Sequence, residues 1–469
     1  MANESFSVLI LAAGKATRFK SERPKLLHSL AGRLMGEYVL RAAAGAGPER
    51  IYMIIGHQAE AMRKAFARPG LEFIEQKEQH GTGHALIVAR PELASCPSDV
   101  VVALVGDAPL LEPETLRGLV EAHRKGRAAC TVLTTRMDDP TGYGRIVRSG
   151  QRVRAIVEQN AASAAQKKIR EINTGILCFS RASLLAHLAE LCPHSEQKNE
   201  YFLTDLVEIF NHHRLKVGAF EASPGEVSGI NDREQLSVVE KTLRMQKAVA
   251  LMEAGVTITD PASTYIDEEV EIGPDTTIEP GVTLCGRTRL GSGCHVEANS
   301  TLTDSVMGDN VTVRPCCVIS NCEIGASVTI GPFAHLRNGA VIDSEVRIGN
   351  FVEVKKSKIG KGSKALHLTY LGDATLGERV NVGAGTITCN YDGEKKNPTT
   401  IEDEVFIGSG NMLVAPVRVG KGAYTAAGST ITRDVPPGSL AIERSPQVIK
   451  EDWARQRKRV KSGEPPTSK

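Results

Sequence analysis

Aromatic residues are scarce in this chain of 469 residues, at 4% with a single Trp. With so little ring material, the interior has to be filled largely by small apolar side chains. An excess of one charge is also missing: 57 Lys and Arg stand against 55 Asp and Glu, a net +2. No global basic field argues for nucleic acid, so any anionic ligand must be held by local charge. Long hydrophobic runs are absent too. The first, Val8 to Ala13, follows no basic segment and is far too short to cross a bilayer, so no membrane role is expected and the chain reads as a soluble, cytoplasmic protein. Ten cysteines are present, but Cys316, Cys317 and Cys322 lack a CxxC spacing and Cys96, Cys130, Cys178 and Cys192 are scattered. They are expected to be small buried side chains in a reducing compartment, not disulfides or metal ligands.

What the second half does contain is a six-residue beat. Aliphatic residues fall at Ile266, Ile272, Ile278, Leu284, Leu290, Val296 and Leu302, again from Ile324 through Ile330, Leu336, Ile342 and Ile348 to Val354, and then at Ile407, Leu413, Val419 and Ile431. If aliphatics hold about a quarter of positions, seven consecutive hits in one phase arise by chance with a probability on the order of 10⁻⁴, so the pattern reads as a hexapeptide-repeat solenoid. One aliphatic per short strand stacks on its equivalent in the next coil. The beat is expected to break between Lys355 and Leu376, and again between Thr388 and Thr400, where Asn390, Tyr391, Asp392, Gly393 and Pro398 spell an excursion. Interruptions of a regular solenoid are where function tends to sit.

A chain of this length needs two or more domains, and the first half has a different grammar. Short aliphatic strands at 7–11, 51–55, 100–105, 129–135 and 172–179 alternate with amphipathic helices at 59–67, 83–89, 116–124 and 201–213, as in an α/β sheet. From Asn231 and Asp232, good helix-capping residues, a helical pattern runs to Gly255. The boundaries expected are 1–232 for an α/β domain, 233–255 for a connecting helix, 256–449 for the solenoid and 450–469 for a basic tail. That tail, with Arg455, Arg457, Lys458, Arg459, Lys461, Pro465 and Pro466, is expected to be solvated and partly disordered.

Directly after the first strand come Leu11, Ala12, Ala13 and Gly14, then Lys15, Arg18, Pro24 and Lys25. Small residues at the carboxyl end of a parallel strand let backbone N–H groups approach phosphates, and the cations add charge, although the segment is neither GxGxxG nor a Walker loop. A second strand delivers Val105, Gly106 and Asp107 to what should be the same sheet edge. There a carboxylate can help hold Mg²⁺ or merely cap a turn. In the solenoid, Arg337, Lys355, Lys356, Lys364, His367 and Tyr370 lie close in sequence or one repeat apart. Basic side chains of this kind can take a sugar phosphate and a histidine can deprotonate an amine, yet a lone histidine in a solenoid is more often structural.

Taken together, L-A-A-G-x-x-T-R with P-K downstream, Q-x-x-x-x-G-T-G-H from Gln76 to His84, G-D at Asp107, T-G-Y-G-R from Thr141 to Arg145 and E-I-N-T-G from Glu171 to Gly175 resemble sugar-1-phosphate nucleotidylyltransferases. H-L-T-Y-L-G-D from His367, N-V-G-A-G-T from Asn381 and T-C-N-Y-D-G from Thr388 extend the resemblance. Residues from about 5 to 450 are similar to the bacterial family that joins an N-acetylglucosamine-1-phosphate uridylyltransferase to a glucosamine-1-phosphate N-acetyltransferase.

The resemblance implies a Rossmann-like α/β nucleotidylyltransferase domain, a connecting helix and a left-handed parallel β-helix, assembled as a homotrimer. It implies acetylation of glucosamine-1-phosphate by acetyl-CoA, then uridylyl transfer from UTP to N-acetylglucosamine-1-phosphate with release of pyrophosphate. By the same resemblance, Asp107 and Asn231 hold Mg²⁺, and Arg18 and Lys25 contact phosphates. Leu11, Ala12, Ala13, Gly14, Gln76, Gly81 and Thr82 hold the uridine, with Gln76 offering both a donor and an acceptor to the uracil edge. Gly144, Glu158 and Asn173 hold the sugar. In the solenoid, His367 is the implied general base, Arg337, Lys355, Tyr370, Asn381 and Asn390 position the amino sugar, and Tyr391, Asn390, Ala384, Ser409, Ala427 and Arg444 line the coenzyme A side.

One departure stands out: the family usually has Gly where this chain has Ala16. Either the loop has negative φ there or its phosphate grip is altered. Two other readings stay open at this point, a scaffold that has lost its chemistry, and a thymidylyl- or guanylyltransferase with a purely structural solenoid.

Overall fold

The computed structural model describes residues 5–194, 199–227 and 229–462, so Pro465 and Pro466 of the tail lie outside the described residues. The chain forms two compact units, Met1–Lys247 and Ala248–Lys469.

In the first unit, strands β1 (Phe6–Ala12), β2 (Arg50–Ile55), β3 (Leu71–Glu75), β4 (Val100–Val105), β5 (Cys130–Arg136), β6 (Arg145–Ser149), β7 (Arg152–Val157), β8 (Glu171–Ser180) and β9 (Val217–Glu221) form one sheet. Its main path runs β9-β5-β8-β4-β1-β2-β3, with the β6–β7 hairpin attached to β8. β1 pairs in parallel with both β2 and β4, while β8 runs antiparallel between β4 and β5. Alternation along β1 explains the layers: Val8 and Ile10 enter one hydrophobic cluster and Leu9 the cluster on the other face. The chain order reverses between β1 and β4. Open α/β sheets bind ligands at such a crevice, outside the carboxyl ends of the strands.

Helices α1 (Met35–Gly45), α2 (Ala59–Phe66), α3 (Gly81–Val88), α4 (Pro113–Gly126), α5 (Arg181–His187) and α6 (Asp205–His212) connect the strands. The sequence pattern did not predict α1, α5, β3, β9 or the β6–β7 hairpin, and it started the last helix too early, since residues 201–204 form no helix. Helix α7 (Arg233–Glu253) places Val239 and Leu243 in the core of the first unit, and Ala248 and Leu251 in the core of the second.

The second unit is a left-handed parallel β-helix. Short strands stack in three parallel ladders, one per face; along one face Ile278, Val296, Val313, Ile330, Ile348 and Ala365 are successive register partners. A coil is therefore 17 or 18 residues, and the shorter coils explain why the beat loses phase. Between Leu302 and Ile324 the buried strand residues that carry the beat are Met307, Val313 and Ile319, so two of the steps are five residues instead of six. The expected break between Lys355 and Leu376 is the same slip: Ile359, Ala365 and Leu371 stay buried and the coil is complete. What differs there is the backbone. Arg347–Lys355 and Lys364–Gly372 are long strands that stay paired across the corner, and a Cβ on Gly349 would lie 1.8 Å from the Leu366 carbonyl oxygen.

The excursion at Asn390 is real. It lengthens one coil to 25 residues, from Val382 to its register partner Ile407. Its turn is held by Asp392, which accepts hydrogen bonds from the Glu394 and Lys395 backbone and from Asn397 Nδ2. At the far end, Trp453–Ser462 is helix α8, with the Arg457 guanidinium 4.9 Å from the Trp453 ring centre. Cys96, Cys130 and Cys178 are buried thiols, and burial pushes those of Cys130 and Cys178 well up. Among the described residues no helix is long and apolar enough to cross a membrane.

Candidate functional site

At the crevice between β1 and β4, Leu11 pairs with Val105, and the Gly106 N–H donates to the Leu11 carbonyl at 3.1 Å. This brings Asp107 beside the turn that leaves β1. Lys25 reaches in from the next segment, pairing with Asp107 and donating to the Ile230 carbonyl at 2.8 Å. Arg18 donates to Asn231 Oδ1 at 2.8 Å, and the Ile230 N–H donates to the Asp107 carbonyl at 3.0 Å. Residues more than 200 apart in sequence thus meet, and each oxygen expected to hold Mg²⁺ now carries a protein cation. These donors fit that ion, because Mg²⁺ prefers hard oxygens and usually takes one or two from protein.

Gly14 has open space where a Cβ would stand, so packing within the protein does not require glycine there. Ala16 settles its own question: it lies in the left-handed region at φ 47° and ψ 50°, so the negative-φ alternative is wrong. The strain belongs to the loop that carries Arg18.

Gln76 is buried, and its amide nitrogen lies 3.1 Å from the Gly81 carbonyl and 2.9 Å from His84 Nδ1. Burial, then the neighbouring His80, lowers the His84 pKa and favours a neutral ring that can accept. In the free protein both Gln76 amide hydrogens are thus engaged within the protein, and the carbonyl oxygen is the atom left over. Gly81 at φ 92° and Thr82, whose Oγ1 accepts from the Leu203 N–H at 3.1 Å, bind this turn to the segment before α6. Gly144, Glu158 and Asn173 come together as expected: Asn173 N–H donates to the Gly144 carbonyl at 2.8 Å, and a Cβ on Gly144 would lie 3.2 Å from Glu158 Oε1. Burial, then the charge of Asp205, raises the Glu158 pKa. Tyr143, which the sequence reading passed over, has its phenol raised by burial and then by Asp107, placing it near that carboxylate.

In the β-helix, one corner carries left-handed residues at Phe333, Phe351, Leu368, Gly385, Gly410 and Gly428 in successive coils. The residues just before the last five are Asn350, His367, Ala384, Ser409 and Ala427, which stack as a column. Gly410 N–H donates to the Ala384 carbonyl at 2.7 Å, Gly428 N–H to Ser409 at 2.8 Å, and Arg444 Nη1 to Ala427 at 3.0 Å. The exposed His367 has its Nδ1 3.0 Å from Asn350 Oδ1. An amide oxygen only accepts, so Nδ1 bears the proton and Nε2 keeps its lone pair.

The neighbouring corner carries Arg337 and Lys355, which are register partners. Arg337 donates to Glu353 Oε1 at 2.9 and 2.6 Å. Lys396, from the excursion, comes beside Lys355, and this second cation lowers the Lys355 pKa. Asn390 donates to Asp373 Oδ2 at 2.7 Å and approaches the Tyr370 hydroxyl at 3.4 Å. Tyr391 is exposed and donates to the Gly393 carbonyl at 2.6 Å, and Asn381 pairs with Lys364 on the face leading to the His367 corner. One chain therefore does not bring all the amino-sugar residues to one point: His367 and the Arg337–Lys355 pair occupy two corners of one face. Asn350 and Asp373 went unnoticed in the sequence, although each lies 17 residues, one coil, before the residue it touches. Lys396 gave no comparable signal, because it sits in the excursion outside the repeat.

These features define a two-part class, a nucleotidyltransferase domain followed by a hexapeptide-repeat β-helix. Residues 8–209 match the MobA-like NTP transferase domain, 258–375 the GMPPB C-terminal domain and 398–433 the hexapeptide repeat of succinyl-transferase. Over its length the chain is 47% identical to the bifunctional protein GlmU of Koribacter versatilis across 461 residues, covering 96% of this chain and 97% of that one. It is 49% identical to GlmU of Trichlorobacter lovleyi (95% and 97% covered) and 48% identical to GlmU of Pelobacter propionicus (96% and 98% covered). The chain belongs to the GlmU family of bifunctional proteins.

Two outcomes follow from this geometry. Ala16→Gly should stabilise the first unit by up to about 1 kcal/mol, because glycine meets no Cβ penalty at positive φ although it loses more freedom on folding; chemical denaturation checks this. Glu158 has a raised folded-state pKa, so its ionised form is the disfavoured one and its contribution to stability declines as pH rises through that range. Glu158→Gln should therefore raise the neutral-pH unfolding temperature while weakening the sugar phosphate KM, and a lower unfolding temperature would contradict the burial argument.

Proposed function

We infer that this protein makes UDP-N-acetylglucosamine in two steps, N-acetylation of glucosamine-1-phosphate followed by uridylyl transfer. The observation that carries the reading is similarity to bifunctional relatives along almost the whole chain, with neither half left out. Residues 1–232 are assigned to uridylyl transfer, 256–449 to acetyl transfer, and 233–255 to the connection. Use of UTP and acetyl-CoA places the work in the cytoplasm.

At the sheet edge, a phosphate oxygen of N-acetylglucosamine-1-phosphate attacks the α-phosphorus of UTP in line, a new P–O bond forms, and pyrophosphate departs with the electrons of the broken one. The two substrates repel each other, so the protein's task is positioning and charge compensation. Lys25 and Arg18 turn from Asp107 and Asn231 to the phosphates, the turn from Leu11 to Gly14 offers N–H groups, and Glu158 accepts hydrogen bonds from sugar hydroxyls. Mg²⁺ held by the oxygens of Asp107 and Asn231 supplies further neutralisation of phosphate charge when bound.

At the solenoid corner, Nε2 of His367 takes the proton from the substrate amine as its nitrogen attacks the thioester carbonyl. The C–N bond forms, the C–S bond breaks and coenzyme A leaves as the thiol. Asn350 holds the ring in the tautomer that this requires. The phosphate is drawn by Arg337, Lys355 and Lys396, while Ala384, Ser409, Ala427 and Arg444 offer a continuous ridge to coenzyme A.

The homotrimer is the assembly that the family resemblance implies, and one feature of the His367 corner supports contact between copies. Phe333, Phe351 and Leu368 are 52%, 56% and 65% exposed at left-handed corner positions, where later coils have glycine. Keeping large apolar side chains at φ of 44–55° costs about 1–2 kcal/mol each. Contact with another copy offsets that cost and closes the gap between the His367 and Lys355 corners.

Purified protein with UTP, N-acetylglucosamine-1-phosphate and Mg²⁺ should release pyrophosphate, and EDTA should abolish the release; preference for dTTP or GTP would overturn the substrate assignment. His367→Ala should lower coenzyme A release at least 100-fold and leave uridylyl transfer within about twofold, with Asp107→Ala doing the reverse. Leu368→Asp should shift the sedimentation coefficient from trimer towards monomer and depress acetyl transfer alone. An unchanged trimer would refute the role given to this corner.

A further inference from the structure

A second cluster of side chains lies at the opposite edge of the sheet. Helix α5 begins after Ser180, which pairs with Val100 at the start of β4, whereas Asp107 follows the end of that strand. His213, which caps α6, precedes Val217, the partner of Cys130 at the start of β5. At the junction of these two helix ends, Glu190 Oε1 is 2.7 Å from His187 Nδ1, and its Oε2 is 2.9 Å from His213 Nε2. The two imidazole rings are 4.3 Å apart between centres, and His187 is set edge-on against Phe210 at 5.8 Å. Ligand atoms of all three residues lie within 4.8 Å of one another, and among the described residues no other group of His, Cys, Asp and Glu does this.

We propose that His187, Glu190 and His213 form a binding site for a zinc-class divalent cation, joining the turn after α5 to the end of α6. Two imidazole nitrogens and one carboxylate are a donor set that Zn²⁺ takes at 2.0–2.2 Å, with a fourth position left for water. Bonds of that length set tetrahedral ligand atoms about 3.3 Å apart, so the present hydrogen-bonded atoms need open by only about half an ångström. The nitrogen donors discriminate against Mg²⁺ and Ca²⁺, which prefer oxygen throughout. Phe210 fixes the His187 ring, while side-chain exposures of 18%, 43% and 39% for His187, Glu190 and His213 leave the site open to an entering ion. Nothing in the uridylyl or acetyl transfer described above uses these residues, and the ion's role here is to bind two chain segments.

The test is calorimetric titration of the full chain, free of any affinity tag, with Zn²⁺ in excess Mg²⁺ so that the oxygens of Asp107 and Asn231 do not compete. One equivalent per chain should bind, Co²⁺ in its place should show the visible absorption of a four- or five-coordinate ion, and Zn²⁺ should raise the unfolding temperature. Glu190→Gln, which preserves shape, and His213→Ala should each weaken binding at least tenfold and remove the thermal shift, with Mg²⁺-dependent uridylyl transfer retained. Failure of the wild type to bind an equivalent, or equal binding by Glu190→Gln, overturns the proposal. Should His213→Ala not fold, the Glu190→Gln comparison decides alone.

Discussion

Parallel register between successive coils is the constraint from which the second unit's chemistry follows. Each coil buries one aliphatic per face against its counterpart above and below, so a residue's position within the coil fixes which corner it occupies. A side chain cannot change corner without exposing buried neighbours. For this reason Asn350, His367, Ala384, Ser409 and Ala427 share one edge of the prism, and Arg337 and Lys355 share another. The regular column also accounts for where irregularity is tolerated. Eight additional residues between Thr388 and Thr400 leave the inward contacts intact, since Ile401 still stacks on Leu376, and they deliver Lys396 to Lys355.

The first unit solves a different problem. Its sheet creates an edge where three chain segments converge, after β1, after β4 and before α7. Oxygen donors and cations from these segments satisfy one another in the free protein: Lys25 with Asp107 and the Ile230 carbonyl, Arg18 with Asn231. In the function proposed above, these pairs exchange, because incoming phosphates offer the cations stronger acceptors. The left-handed Ala16 belongs to the same loop, and strain of this sort persists where surrounding structure over-determines the backbone.

The two units also differ in how they hold histidine. His367 is exposed and oriented by a single amide, as the proton transfer proposed for it requires. His187 and His213 share one carboxylate and pack beside each other and Phe210, an arrangement that fixes ring positions. Residue type is the same, and the different surroundings are the ground for proposing proton transfer at one place and ligation at the other.

Local periodicity determined a good deal by itself. Short aliphatic runs marked the central strands, period six the solenoid, and N-capping residues with a terminal glycine the helix near residues 233–255, because each is set by neighbours within a few positions in sequence. The motifs around Asp107 and His367 named chemistry only through their resemblance to a known family, since residue type alone left a turn cap and a structural histidine open. Tertiary structure alone decided the rest. The five-residue steps at Ile359 and Leu376 kept the beat running where the sequence suggested a break, since a tighter corner is invisible until the coil closes. Commitment of the Gln76 amide to Gly81 and His84, the meeting of Arg18 with Asn231, and the convergence of His187, Glu190 and His213 all join residues whose proximity depends on how helices and loops return to the sheet. Such contacts form only after the chain has closed on itself, so no pattern in one stretch of sequence encodes them.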